Sequence, residues 1–269
     1  MAAIDAVLRA CDGPVVAPSD GYYTMRSLIP DAMFVPSSTE AYLSALPEGG
    51  LVWVETPSNP RLDVVDIAAV AAAAHAVGAR VAVDNSVATA LGQQPLALGA
   101  DFSVSAGTKG LSGHSDVLFG VVAGHGLEAV RTVRDHAGAI LGPFEAWVAH
   151  RSLATLELRL ARASATAQAI ADTLTVPVFH PSQSDVAVEQ MRHYGPLVGF
   201  DLGSEAATAE FFARTELVTE ATSFGGVHTT AERRARWGTD DVGPGFIRLS
   251  AGIEDTADVV ADVMSALGA

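Results

Sequence analysis

The sequence predicts an α/β protein in which a largely parallel sheet, helices on both faces, is followed by a smaller α+β unit. Three observations predict it. Short unbroken apolar runs alternate with helix-patterned segments through the first half. The pattern changes after Gly142-Pro143, where a long helical stretch opens. The 269 residues, 49% of them hydrophobic, suffice for one large core and one small one.

The elements come in order. Pro14 to Pro18 reads as a strand that ends in a turn at Ser19-Asp20-Gly21. Leu51 to Glu55 is a second strand, closed by Thr56-Pro57-Ser58-Asn59-Pro60. Asp66 caps a helix from Ile67 to Val77, and Gly78 ends it. Arg80 to Asp84 and Asp101 to Ser105 are the third and fourth strands, and Val117 to Ala123 the fifth. Phe144 to about Leu174 reads as one or two long helices. Leu197 to Leu202 and Phe246 to Ser250 are strands of the second unit. Helices cover Ala206 to Arg214 and about Asp255 to Leu267. The expected domains are 1–160 and 161–269.

Composition narrows the function. A formal charge of −15 argues against a nucleic-acid groove or an anionic membrane surface. No apolar run is long enough to span a bilayer, and no signal-like segment begins at Met1, so a soluble cytoplasmic protein is expected. One cysteine, Cys11, leaves no internal disulfide and no metal cluster to build. Of 16 basic residues 15 are arginine, and the one lysine is Lys109, in the Gly-rich loop Ser105-Ala106-Gly107-Thr108-Lys109-Gly110. Arginine replaces lysine wherever charge alone is needed, but not where a neutral amine must attack a carbonyl. Lys109 is therefore a candidate imine-forming nucleophile, or else a surface loop lysine.

In parallel α/β sheets ligands gather at the carboxyl ends of the strands. Those ends deliver Tyr22 and Tyr23, then Glu55 to Pro60, then Asp84-Asn85-Ser86, then Ser105 to Lys109 and Gly113-His114-Ser115-Asp116 beyond it. An aromatic ring, an amide, a carboxylate and a lysine on one edge are the groups pyridoxal 5'-phosphate (PLP) needs. A carboxylate keeps its ring nitrogen protonated, an aromatic face stacks on it, and hydroxyls and N–H groups hold its phosphate. Taken singly, each residue also reads as a cap, a turn or a surface residue.

Glu55 to Pro60, Asp84-Asn85, Thr108 to Asp116 and Phe246 to Asp255 together resemble, in order and spacing, the Cys/Met-metabolism family of PLP enzymes. The resemblance runs from Met1 to the C-terminus. It implies an aspartate-aminotransferase-like (fold type I) large domain, a smaller C-terminal domain, and a homo-oligomer, a tetramer in the family. It implies Lys109 as Schiff-base lysine and proton shuttle, Asp84 on the pyridine nitrogen and Tyr22 stacked on the ring as a possible proton-transfer group. It further implies Asn59 near the 3-oxygen, Thr108 and Met1 on the phosphate side, and Arg248 and Ser223 at the carboxylate of an amino-acid substrate. His114 is given a supporting structural role. The sequence departs from the family at Ala106, where a phosphate-binding serine is usual. Met1-Ala2-Ala3-Ile4 resembles the middle of the family's Ser-Gly-Met-Ala-Ala segment, so part of the family's phosphate clamp is expected to be missing from this sequence, through a start assigned too late or a true truncation. The implied reaction is γ-elimination of L-cystathionine. γ-Replacement, by a cystathionine γ-synthase or homoserine-ester sulfhydrylase, is the alternative, and a truncated non-catalytic homologue is the third reading.

Overall fold

The computed structural model describes residues 1–268. The chain runs through α1 (Ala2–Arg9), β1 (Val15–Pro18), α2 (Tyr23–Arg26), β2 (Met33–Val35), α3 (Thr39–Leu43), β3 (Leu51–Glu55), α4 (Ile67–Ala76) and β4 (Arg80–Asp84). It continues with α5 (Thr89–Gly92), β5 (Phe102–Ala106), β6 (Gly120–Gly124), α6 (Glu128–His136), α7 (Pro143–Leu153) and α8 (Leu156–Thr173). These strands form one sheet in the order β2-β1-β3-β4-β5-β6. All neighbours are parallel except β5 and β6.

Alternation along the strands builds two cores. Val52 and Val54 of β3, with Val81 and Val83 of β4, pack under α3 and α4 against Tyr42, Ile67 and Val70. Leu51 and Trp53, with Ala82, face the other way and join Phe102 and Val104 under α1 and α6, against Ile4, Val7 and Val130. The same parity decides where the strand ends point. Glu55 is two residues past Trp53, Asp84 two past Ala82, and the pair are register partners, so both carboxylates fall on the α1 face of the sheet.

The fifth strand is a correction. The apolar run Val117-Leu118-Phe119 is not part of it: the strand is Gly120–Gly124 and runs antiparallel to β5. A parallel neighbour needs a crossover, usually helical, that carries the chain back along the sheet, and residues 107–119 between β5 and β6 form no helix.

The remaining elements are β7 (Val178–Phe179), α9 (Asp185–Gln190), β8 (Leu197–Asp201), α10 (Glu205–Arg214), β9 (Thr219–Glu220), β10 (Thr230–Arg233), β11 (Phe246–Ser250) and α11 (Thr256–Leu267). A second sheet has the order β7-β8-β11-β10-β9. Its core joins Phe200, Ile247 and Leu249 to Ile170 of α8, Phe211 of α10 and Val259 of α11. Arg248, between Ile247 and Leu249, takes the opposite face, and its register partner on β10 is Glu232. Residue 160, where the sequence suggests a boundary, lies inside α8. Among the described residues no helix is long and apolar enough to cross a membrane.

Candidate active site

The carboxyl ends of the parallel strands open onto a cleft of about 610 Å³. Of the eight residues singled out in the sequence, seven line it: Met1, Tyr22, Asn59, Asp84, Thr108, Lys109 and Arg248. The eighth, Ser223, reaches it through Lys109, whose Nζ donates to Ser223 Oγ at 3.1 Å. Tyr23 also lines the cleft, its ring edge-on to Tyr22 with centroids 5.3 Å apart. His114 is exposed, with Nδ1 2.5 Å from the Ser112 carbonyl oxygen, and is not part of the lining.

Backbone bonds shape the lysine loop. Lys109 N donates to Ala106 O at 3.0 Å and Gly113 N to Lys109 O at 2.8 Å. Thr108 Oγ1 accepts from Phe119 N at 3.1 Å and donates to Phe119 O at 3.3 Å. Arg159, buried on α8, donates to Gly110 O, Leu111 O and Ser152 O at 2.8, 3.1 and 2.9 Å. From the second sheet, Gly225 sits at φ +75° so close that an added Cβ would lie 2.7 Å from Gly110 N. Only glycine tolerates both conditions. Lys109 Nζ lies 4.9 Å from the centroid of the Phe224 ring, and the Arg248 guanidinium carbon 5.2 Å from the same centroid. Burial, and then the positive charge of Arg248, lower the lysine's pKa against the pull of Glu232, which enlarges the neutral amine fraction.

The floor is acidic. Asp84 Oδ1 accepts from Ser86 N at 3.0 Å and from Ser86 Oγ at 2.6 Å. Ser86 Oγ in turn accepts from Ala106 N at 2.7 Å. Burial raises the Asp84 pKa while the Ser86 bonds oppose the rise. Beside it, Glu55 accepts from Tyr22 N at 2.8 Å and from Asn59 N at 3.0 Å. Burial, and then the charge of Asp84, push Glu55 up to about 8.

This raised carboxyl makes stability depend on pH. A carboxyl raised on folding keeps its proton in the native state at pH values where the unfolded chain has lost it. Its contribution is present below the unfolded value of 4.5 and lost as pH rises towards about 8. Buried His180, lowered from 6.5 to about 4 by burial, has the opposite slope, but only below 6.5. Between pH 6.5 and 8, urea unfolding of the cofactor-free chain should therefore lose stability by up to about 1.4 kcal/mol per pH unit. Glu55→Gln should remove most of that slope.

Arg248 is held from three sides. Its Nη1 donates to Asn59 Oδ1 at 2.5 Å, and its Nη2 to Thr222 O at 2.6 Å and to Glu232 Oε2 at 3.1 Å. Glu232 is fully buried and also accepts from Arg234 Nη1 at 2.7 Å and from Trp237 Nε1 at 2.5 Å. Arg234 bonds Asp240 as well, through Nε at 2.8 Å. Burial and the neighbouring Arg234 lower the Arg248 pKa to about 10, which leaves it charged at neutral pH.

Sequence reasoning passed over Arg159, Glu232 and Arg234, and it placed Glu55 and Ser86 at strand ends without giving either a role of its own. No local signal marks Glu232 and Arg234, because only the register of β10 on β11 sets Glu232 opposite Arg248. Arg159 and Glu55 act on main-chain groups, and Ser86 links the Ala106 N–H to the Asp84 carboxylate, so side-chain patterns leave little trace of their roles.

The arrangement fits PLP. Asp84 is a buried carboxylate whose Oδ2 carries none of these hydrogen bonds, an acceptor suited to a protonated ring nitrogen. The cleft has an aromatic wall at Tyr22, an amine at Lys109 whose pKa burial lowers, and the uncapped first turn of α1 for an anion.

The model of the family described as "Cys/Met metabolism PLP-dependent enzyme" matches residues 31–268. The chain belongs to that family. It is a PLP-dependent enzyme with the family's fold type I architecture. It is 50% identical over 99% of its length to a Streptomyces coelicolor protein provisionally named a cystathionine gamma-lyase, spanning 74% of that protein. It is 36% identical over its whole length to the cystathionine gamma-synthase of Mycobacterium bovis, covering 78% of it. Among solved structures, apo CalE6, a methionine gamma lyase from Micromonospora echinospora, superposes with a TM-score of 0.89 at 36% identity, over 100% of this chain and 78% of that one. Such family members carry out sulfur chemistry on amino acids, by lyase or synthase reactions.

Proposed function

We propose that this enzyme is a cystathionine γ-lyase: L-cystathionine and water give cysteine, 2-oxobutanoate and ammonia. The observation that carries it is the placement of Lys109 Nζ and the Arg248 guanidinium over one ring, that of Phe224, above a buried carboxylate floor. An α-amino acid carries an amine and a carboxylate, the two groups that a lysine-held aldehyde and an arginine fork take. The identity to the S. coelicolor protein favours the lyase over the synthase.

In this reading Asp84, Tyr22, Asn59, Thr108 and Met1 would hold the cofactor, and Lys109 would be the amine that anchors its aldehyde. Bound PLP supplies an electron sink for carbanionic charge at the substrate's α- and β-carbons. Arg248 binds the substrate carboxylate, where its planar fork outdoes a point charge. Lys109 Nζ would take the α-proton and move protons between the substrate's carbons as the thiol leaves the γ-carbon. Ser223 Oγ accepts a hydrogen bond from that amine and limits where it swings. The Phe224 ring keeps water from one side.

Incubation with L-cystathionine tests the reading, with 2-oxobutanoate and cysteine expected. Cystathionine formed from O-succinylhomoserine and cysteine, with no keto acid from cystathionine, would instead assign γ-replacement. No turnover of either by the PLP-loaded chain would support a non-catalytic homologue.

We infer two units, 1–160 carrying the cofactor and 161–269 the substrate wall, with α8 shared between them. We also infer self-assembly in the cytoplasm. Phe144 and Trp147 stack on α7 while 70% and 60% exposed, and Leu118 and Leu158 are 81% and 74% exposed. Apolar surface of that extent favours a second copy of the chain.

A further inference from the structure

We propose that Glu55 is the positioning residue of the cleft: one buried carboxylate fixes the Tyr22 turn with one oxygen and the Asn59 loop with the other. It thereby sets the aromatic wall and the substrate-side arginine together. The claim about the two loops stands on geometry alone, and its consequence for the cofactor rests on the reading above.

The connections are direct. Tyr22 N donates to Glu55 Oε2 at 2.8 Å, across 33 residues of chain. Asn59 N donates to Glu55 Oε1 at 3.0 Å. Asn59 then accepts from Arg248 Nη1 through its own Oδ1. Two of the cleft's walls, delivered by different strands, and the arginine of the second sheet thus meet at one side chain that is 5% exposed. The turn passes close to it. At Gly21 an added Cβ would lie 2.9 Å from Glu55 Oε2 and 2.6 Å from the Pro18 ring, so a larger residue would push the turn off the carboxylate.

The chemistry demands a carboxyl group, which offers an acceptor oxygen at each end whether or not it holds a proton. Both partners are N–H donors, so the side chain must accept at both ends. Glutamine accepts at one end only and would set its NH₂ against a main-chain N–H. An ordinary core residue would satisfy neither N–H, leaving two polar groups unpaired at the edge of the cleft. Burial and the charge of Asp84 both disfavour an ionised Glu55. The two N–H bonds oppose this, and a cation entering the floor would favour the charged form further.

The first arm of the test is amide hydrogen exchange by NMR on the cofactor-free chain. Glu55→Gln should speed exchange at Tyr22, at Asn59 or at both by about tenfold or more. The amide of Asn85, which donates to Val104 O at 2.7 Å at the same end of the sheet, should not change. The second arm is the visible circular dichroism and the affinity of bound PLP. The variant should bind about tenfold more weakly, with an altered dichroic band, because the ring's aromatic neighbour is no longer fixed. Tyr42→Phe serves as control. It deletes a buried hydroxyl that donates to Trp53 O at 3.0 Å on the same strand, so it costs stability without touching the cleft. It should leave both amides and the dichroic band unaltered. Native exchange at Tyr22 and Asn59 in Glu55→Gln would overturn the proposal, as would a Tyr42→Phe effect on the cofactor signal of equal size. If Glu55→Gln does not fold, Glu55→Asp, whose carboxylate sits on a shorter stem, is measured against the same outcomes. A native chain that takes up no PLP would defeat the cofactor reading, while the exchange arm would still decide the role of Glu55.

Discussion

Lys109→Ala is expected to give a folded chain that stays colourless at saturating PLP and turns over substrate more than about 10⁴-fold more slowly. The size of the effect comes from the composition. No second lysine exists to take over, and none of the 15 arginines can act as a neutral nucleophile. The same substitution should cost little stability, within about 1 kcal/mol. The loop is shaped by main-chain bonds at Ala106 and Gly113 and by Arg159, all of which alanine leaves in place. Only the Nζ bond to Ser223 and the contact with Phe224 are lost. Absorbance during PLP titration, alongside thermal unfolding, separates the two effects. A coloured variant would show that another group holds the aldehyde.

Arg248→Lys is expected to lower kcat/KM by about 10²- to 10³-fold, mostly through KM. A desolvated charge pair is worth a few kcal/mol, and each ~1.4 kcal/mol is tenfold in affinity. Arg248 already serves Asn59, Thr222 and Glu232 with three N–H groups and keeps others for a carboxylate. A lysine ammonium has three donors at one point and cannot meet those acceptors and a substrate as well. Glu232 would not be stranded, because Arg234 and Trp237 remain on it. The stability loss should therefore stay near about 1–3 kcal/mol, below the roughly 3–5 kcal/mol of a fully stripped buried ion pair. Steady-state kinetics with the amino acid, and binding of the corresponding amine without a carboxylate, check this. The loss should appear with the first and vanish with the second.

Much of this site was legible because strand-end position is a property of sequence order. The apolar runs at Leu51, Arg80 and Asp101 mark β3, β4 and β5, and the residues just beyond each run must face the cleft. That reasoning places Asn59, Asp84 and Lys109 without knowledge of contacts. It fails where order does not encode geometry. The run Val117-Leu118-Phe119 looks like a strand, yet Leu118 is 81% exposed and pairing begins only at Gly120. Strands as short as β2, β7 and β9 carry too few residues for a period to show. The segment Glu232-Arg233-Arg234-Ala235-Arg236 reads locally as a solvated charge run. Only the register of β10 on β11, set by distant residues, buries Glu232 against Arg248. The role of Glu55 escaped notice for a related reason, since its partners are main-chain N–H groups that every residue but proline has.

Borohydride reduction of the PLP-loaded chain, with peptide mass mapping of the product, tests the central assignment most directly. A pyridoxyl adduct confined to the peptide that contains Lys109 is the predicted result. An adduct on the Met1 amino group instead, or none on a chain that has bound the cofactor, would contradict it.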